Sequence, residues 1–215
     1  MKCPLCLDES PVFYHKDSRR EYLQCLRCRL VFVPAQYILS VEQEKAEYDL
    51  HQNNENDLGY RKFLSRLLNP MCQLLLPGSK GLDFGCGPGP TLSKMFAELG
   101  YQMDIYDPFY FDNDGVFVNK YDFITASEVI EHVRQPHTVL PVLLNMLKMD
   151  GLLGIMTKLV LGREEFSCWH YKNDRTHICF YSVDTFSFLE KNYSIEVKSV
   201  DNDVIIFKKT ASNRG

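Results

Sequence analysis

Apolar and polar positions along the chain fall into three regimes, and each predicts a different kind of structure. Residues 1–38 show little periodic patterning until Leu30-Val31-Phe32-Val33, a short strand that Pro34 closes. Ser40 then stands as an N-cap with Gln43 three residues on, the spacing of a capping box, and predicts a polar helix through about Leu50. His51 to Asp57 is polar and Asn-rich, a loop or helix break. From Leu58 onward, Phe63, Leu64, Leu67 and Leu68 recur at helical spacing, and Pro70 predicts a kink or a restart.

The third regime begins after Pro77-Gly78, where short apolar runs alternate with helical patterns. Strands are predicted at Lys80 to Phe84, Tyr101 to Tyr106, residues 116–118, Tyr121 to Ala126 and Leu152 to Thr157. Helices are predicted from Thr91 to Leu99, after the fourth strand through Val133, and from Pro136 to Lys148. Ser182 caps a last helix to about Lys191, and Ile195 to Val200 with Val204 to Lys208 read as an antiparallel hairpin. Strand–helix alternation ending in a hairpin implies a mostly parallel, doubly wound α/β sheet with one reversed strand. The domain reading is a unit at 1–38, a domain at 39–210 whose residues 39–76 form a helical cover, and a tail at 211–215.

Composition narrows the function classes. The 215 residues are 45% hydrophobic and 24% charged, an ordinary balance for a protein with a real core. No apolar run approaches the ~18 residues of a membrane span, and Cys3, Pro4 and Cys6 stand where a secretory signal would carry its apolar core. A cytoplasmic protein with no membrane partner is expected. The net charge of −4 argues against a broad nucleic-acid-binding surface. A local basic patch stays open, because the first 40 residues carry Lys2, Lys16, Arg19, Arg20, Arg27 and Arg29 against four acids.

The eight cysteines include two C-x2-C pairs, Cys3/Cys6 and Cys25/Cys28, separated by 18 residues. Two such knuckles can close a tetrahedral thiolate shell around one zinc, which with four ligands would be structural. A rubredoxin-like iron site and a redox pair are the alternatives. Cys72, Cys168 and Cys179 lack that spacing and read as ordinary core or partly buried thiols.

The chemistry centres on Gly81-Leu82-Asp83-Phe84-Gly85-Cys86-Gly87-Pro88-Gly89. Glycines at the end of a first strand let the backbone turn tightly beside the positive end of the next helix. The spacing is G-x-G-x-G, not the G-x-G-x-x-G of a dinucleotide pyrophosphate site, which disfavours an oxidoreductase. Asp83 can face a cationic ligand, and Asp107 ends the second strand where an acid can accept from ribose hydroxyls.

Together with Tyr121-Asp122-Phe123-Ile124 and the Asp150-Gly151 turn before Leu152-Leu153-Gly154, these residues resemble class I S-adenosylmethionine-dependent methyltransferases over about residues 58–210. The resemblance implies a Rossmann-like seven-stranded sheet with its last strand antiparallel. It places Gly85, Cys86 and Gly87 along the cofactor's methionine portion, Asp107 at the ribose, and Ala126, Ser127 and Glu128 at the amino acid end. N-terminal zinc ribbons of this style resemble those preceding many bacterial small-molecule methyltransferases, and some ribosomal RNA methyltransferases carry zinc modules too.

Glu128-Val129-Ile130-Glu131-His132 resembles the metal-ligand motif of small-RNA 2′-O-methyltransferases, and similar residues occur in ubiquinone-pathway O-methyltransferases. On a helix, Glu128, Glu131 and His132 would share one face. His177, followed by Tyr181-Ser182, stands in a place comparable to the fourth ligand, so the resemblance admits a second divalent metal at Glu128, Glu131, His132 and His177; the alternative is a polar site without metal, serving helix capping or cofactor support. His132, His170 and His177 are the candidate catalytic residues; Trp169, His170 and Tyr171 can line a substrate pocket. His51, Asn53, Asn54 and Tyr60 precede the first strand, in a segment that in this family often covers the cofactor. The expected activity is methylation of a hydroxyl or other nucleophile on a small molecule. RNA modification with the ribbon as reader and a non-catalytic cofactor-binding module are the alternatives; the sequence leaves the oligomeric state open.

Overall fold

The computed structural model describes residues 1–50 and 54–211. His51 and Asn53 lie outside the described residues. The N-terminal segment forms β1 (Val12–Lys16), β2 (Glu21–Gln24) and β3 (Val31–Phe32). Helix α1 (Val41–Tyr48) opens on the expected capping box between Ser40 and Gln43. Helix α2 (Leu58–Leu74) starts at an Asp57 cap and runs through Pro70 as one helix, so the restart offered as one expectation for Pro70 does not occur.

Strand and helix then alternate: β4 (Lys80–Phe84), α3 (Thr91–Glu98), β5 (Gln102–Tyr106), β6 (Tyr121–Ser127), α4 (Pro136–Met146) and β7 (Leu147–Met156). A short α5 (Arg163–Cys168), the two-residue β8 (Cys179–Phe180), α6 (Val183–Asn192) and the hairpin β9 (Ile195–Asp201) and β10 (Val204–Lys209) complete the chain.

The main sheet has six strands among the described residues, in the order β5-β4-β6-β7-β10-β9. Strands β5, β4, β6 and β7 are parallel, and β10 runs antiparallel to both β7 and β9. The expected seventh strand at 116–118 is absent. Asn113 instead caps a 3-10 turn over Asp114–Val118 by accepting from the Gly115 amide, and only Val116 of that turn is buried.

Side chains alternate across the sheet as the pleat requires. Phe123, Leu152, Met156, Val204 and Ile206 pack under α2 and α3 with Leu67, Met71 and Phe96. Ile124, Ala126, Leu153, Ile155, Ile205 and Phe207 face α4 and α6 in the other core. That second core is continuous with the N-terminal segment, whose Cys3, Leu5, Tyr22 and Val31 belong to it. Strand β3 also pairs with β8, so the small sheet β1-β2-β3-β8 is completed by a strand 147 residues further on. No helix among the described residues is long and apolar enough to cross a membrane.

Candidate active site and metal centres

The turn after β4 lies at the carboxyl edge of the parallel strands. Gly85 and Gly87 have φ of 74° and 64°, the left-handed region that glycine enters without strain. At Gly85 a side chain is also excluded by space, since a Cβ would lie 2.6 Å from the Val129 side chain. The Gly85 and Cys86 amides donate to the Tyr106 carbonyl and tie the turn to β5. Asp107 follows directly. Its carboxylate accepts from the amides of Gly87 at 2.9 Å, Phe109 at 2.9 Å and Tyr110 at 3.2 Å. Four lone-pair sites on a carboxylate leave it capacity toward a ligand.

A cleft of about 620 Å³ opens over this turn, within the range of small-ligand sites. Asp83, Gly85, Cys86, Gly87, Asp107, Ser127, Glu128, His132 and His177 all line it. Ala126 does not: it is fully buried within β6, on the side facing α4. Asp83 sits beneath the cleft floor, accepting from the Thr125 hydroxyl at 2.9 Å. Burial pushes its carboxyl up to about 6 against that hydrogen bond and the Ser93 backbone, and the charge of Asp107 adds to the rise. A cationic group bound above it would favour the ionised form. At the end of β6, Ser127 Oγ and Glu128 Oε1 are buried without a hydrogen-bond partner in the protein. Unsatisfied polar atoms of this kind cost free energy until a ligand meets them. The turn, the Asp107 rim and these two atoms together fit a zwitterionic nucleoside ligand.

The far end of the cleft carries a second polar group. Ligand atoms of Glu131, His132 and His177 lie within 4.8 Å of one another, and the two imidazole rings are 4.6 Å apart. His177 Nδ1 is 2.7 Å from the Tyr171 carbonyl, which only accepts, so Nδ1 carries the proton. Nε2 lies 3.8 Å from the Asp174 carboxylate, and burial, outweighing that charge, lowers the ring's pKa and favours the neutral imidazole with its lone pair on Nε2. The Tyr171 hydroxyl reaches Glu131 and lies 3.2 Å from Glu128, and Glu131 Oε2 is buried without a hydrogen-bond partner. Burial raises both carboxyls, and the charge of Glu128 raises Glu131 further. Two carboxylates so placed call for a cation or a proton. Glu131, His132 and His177 therefore have the donor set for a divalent ion with open positions.

The backbone here differs from the expected helix. Only Ile130–His132 is helical, as one 3-10 turn, and Glu128 takes a φ of 54°. The Glu128 amide is drawn to the Met156 carbonyl at 2.7 Å, which keeps the chain on the sheet for one more residue. Glu128 therefore leaves the shared face and meets Tyr171 beside the three converging groups. His170 lies elsewhere: it is exposed, with Nε2 2.9 Å from Lys158 Nζ, outside the cleft lining. Trp169 packs on Phe166, Tyr171 and Phe180. Tyr60 lines the cleft and Asn54 does not.

The cysteine quartet converges as its spacing requires. Sγ atoms of Cys3 and Cys28 are 3.5 Å apart, those of Cys6 and Cys25 3.4 Å, and all four fall within 4.8 Å. Thiolates about 2.3 Å from a tetrahedral zinc stand roughly 3.8 Å apart. The two knuckles are built alike: Leu7 donates to the Cys3 carbonyl and Arg29 to that of Cys25, with φ of 61° and 63°.

The helical cover expected at 39–76 reaches the cleft, but sequence reasoning missed which side chains of α1 line it. Helix α1 contributes Glu44, which accepts from Arg134, and Tyr48, whose ring lies 5.4 Å from His132 and 5.5 Å from Phe109. Acids and aromatics on a polar helix with no buried residue carry no periodic signal of such a role.

Residues 54–197 match a family model described as a methyltransferase domain. A ubiquinone biosynthesis O-methyltransferase of Glaesserella parasuis serovar 5 (strain SH0165) is 33% identical over 108 residues, covering 37% of this chain. The chain spans about 45% of that relative's length. Among solved structures, a putative S-adenosylmethionine-dependent methyltransferase from Methanococcus maripaludis aligns with a TM-score of 0.53 at 16% identity, over 80% of this chain and 94% of that one. The 1,6-didemethyltoxoflavin-N1-methyltransferase of Burkholderia thailandensis aligns at 0.52 and 13%, over 93% and 100%. At these identities the structures speak for the fold.

Proposed function

The chain belongs to the methyltransferase-domain family of S-adenosylmethionine-dependent enzymes, and from that premise we propose that it methylates a hydroxyl group of a small molecule with the help of a divalent metal. The observation that carries this reading is the convergence of Glu131, His132 and His177: the two histidines line the same cleft as the glycine turn and Asp107, and Glu131 stands fully buried behind them. The name of the curated relative, an O-methyltransferase, points the same way. The lining carries Glu44, Asp83, Asp107, Glu128 and Asp174 and, among the described residues, no lysine or arginine. Such a surface repels a polyanion and favours a small acceptor over RNA.

S-adenosylmethionine, when bound, supplies an electrophilic methyl group on a sulfonium. In this reading Gly85 and Gly87 let the backbone approach the ligand, Asp107 holds the ribose hydroxyls, and Asp83, Ser127 and Glu128 meet the amino acid end. Glu131, His132 and His177 would hold a magnesium, manganese or zinc ion, which lowers the pKa of a coordinated hydroxyl. Positioning and exclusion of water beneath Tyr48 and Phe109 do the rest. Cys3, Cys6, Cys25 and Cys28 would hold one structural zinc.

The test incubates zinc-loaded protein with methyl-labelled S-adenosylmethionine and a panel of catechols, aliphatic amines and a short RNA. Label is expected on a hydroxyl of a small acceptor, dependent on added magnesium or manganese and lost in His177→Ala. Label on nitrogen, or transfer indifferent to EDTA, would contradict the acceptor and metal assignments. Binding of NAD without S-adenosylmethionine would remove the premise.

A further inference from the structure

The turn between β1 and β2 reaches across to the segment that delivers Asp174 and His177. At its end sits Arg20, a residue with only 6% of its surface exposed. Its Nη2 donates to the carbonyls of Lys172 at 2.6 Å and Asp174 at 2.7 Å, and its Nη1 to that of Arg175 at 3.1 Å. Its Nε donates to the Tyr22 hydroxyl, which in turn donates to Asp17 at 2.8 Å. Asp17 also accepts from the buried Lys172 ammonium at 3.3 Å and from the amides of Arg19 and Arg20. Arg19 adds a contact to the Asn173 carbonyl. Four successive carbonyls, from residues 172 to 175, are thus held by side chains of one turn, three of them by Arg20.

The held segment ends at the cleft. Asp174 accepts from the Thr176 amide and hydroxyl, which closes a tight turn, and His177 follows with Nδ1 on the Tyr171 carbonyl. Beyond it, the Ile178 amide donates to the Glu131 carbonyl, and Val33 donates to the Ile178 carbonyl. The segment is therefore fixed at both ends by residues 1–38: at 172–175 by Arg20 and at 178–180 by Val33 and β3. A fixed planar fork suits Arg20 to this task, because it satisfies divergent carbonyls that no single ammonium could reach together.

We propose that Arg20 is a positioning residue for the acceptor half of the cleft, locking the 172–177 turn so that His177 stands against Glu131 and His132. The proposal rests on the metal reading above. It gives the N-terminal ribbon a part in the reaction geometry without contact to the cofactor. Partners that orient a metal ligand from behind commonly matter about ten- to a hundredfold in affinity.

The experiment compares wild type, Arg20→Met and Arg20→Lys as full chains loaded with zinc. Four properties are measured on the same samples: zinc content, S-adenosylhomocysteine affinity, manganese affinity by electron paramagnetic resonance, and hydrogen exchange across residues 171–181. In Arg20→Met, manganese affinity is expected to fall at least about tenfold and exchange at 171–181 to quicken, with zinc at one per chain and cofactor affinity unchanged. Arg20→Lys should fall between the two. Unchanged manganese affinity with unchanged exchange would overturn the proposal. Parallel loss of zinc and cofactor binding would overturn it too, making Arg20 a general folding residue. If wild type binds no manganese, the metal reading fails by itself; quickened exchange in Arg20→Met then still supports the positioning role, and unchanged exchange refutes it.

Discussion

The two halves of the cleft are made in different ways. The half read as the cofactor site comes mainly from one stretch of chain, β4 through Tyr110, joined by Ser127 and Glu128 at the end of β6, and works largely through backbone: two glycines at positive φ and amides gathered on Asp107. The acceptor half is gathered from α1, the turn after β6, the 171–177 segment and, behind it, the β1–β2 turn. It works through side chains. A backbone-built site is as stable as its strands, whereas the assembled one depends on every segment that holds it. The two halves should therefore fail independently.

The largest separation is expected from Cys25→Ser. Loss of the thiolate shell should release zinc, whose binding free energy folds such ribbons, and loosen β3 against β8. Manganese binding at Glu131, His132 and His177 should be lost, while S-adenosylhomocysteine affinity stays within about threefold, as for distant independent sites. Zinc analysis and calorimetry on one preparation decide it; equal loss of both ligands would merge the halves. Gly85→Ala is the converse. A left-handed alanine costs about 1–2 kcal/mol, and the clash with Val129 adds about 1–3 kcal/mol. Denaturant unfolding should show that loss, and the displaced turn should weaken cofactor binding while manganese binding persists.

A smaller effect belongs to Asp107→Ala. Removing its charge-assisted hydrogen bonds should weaken S-adenosylhomocysteine by about 1–3 kcal/mol without touching manganese binding. Unchanged affinity would refute the ribose assignment. The smallest effect is on pH. Asp83 is held up at about 6 by burial, so cofactor affinity should decline as pH falls through about 6, by at most about tenfold per unit. The stability of the free protein should move the other way. A carboxyl whose folded value is raised from 3.8 contributes fully below that value and loses the contribution as pH rises through about 6. Asp83→Asn should remove the Asp83 share of both profiles and leave that of the raised Glu128 and Glu131 carboxyls.

This contrast also explains what the chain disclosed in advance. The glycine turn, Asp107 and the reversed β10 were legible because each follows from local spacing on consecutive elements. The cysteine knuckles were legible for the same reason. The strand expected at 116–118 failed because Asn113 offers a local cap that a three-residue apolar run cannot outweigh. The helix expected after β6 failed at Glu128, whose amide pairs with β7. Arg20 gave no signal at all. In sequence it is one of six basic residues near the N-terminus, and only the return of β8 to β3 makes it a partner of residues 172–175.

The central claim is that one cleft holds a cofactor at the glycine turn and a divalent ion at Glu131, His132 and His177. The most direct measurement titrates S-adenosylhomocysteine and manganese into wild type and into a His132→Ala, His177→Ala double variant. The account predicts one manganese per wild-type chain beside the structural zinc, none retained by the variant, and equal cofactor affinity in both proteins. Manganese bound equally by both proteins, or by neither, would contradict it.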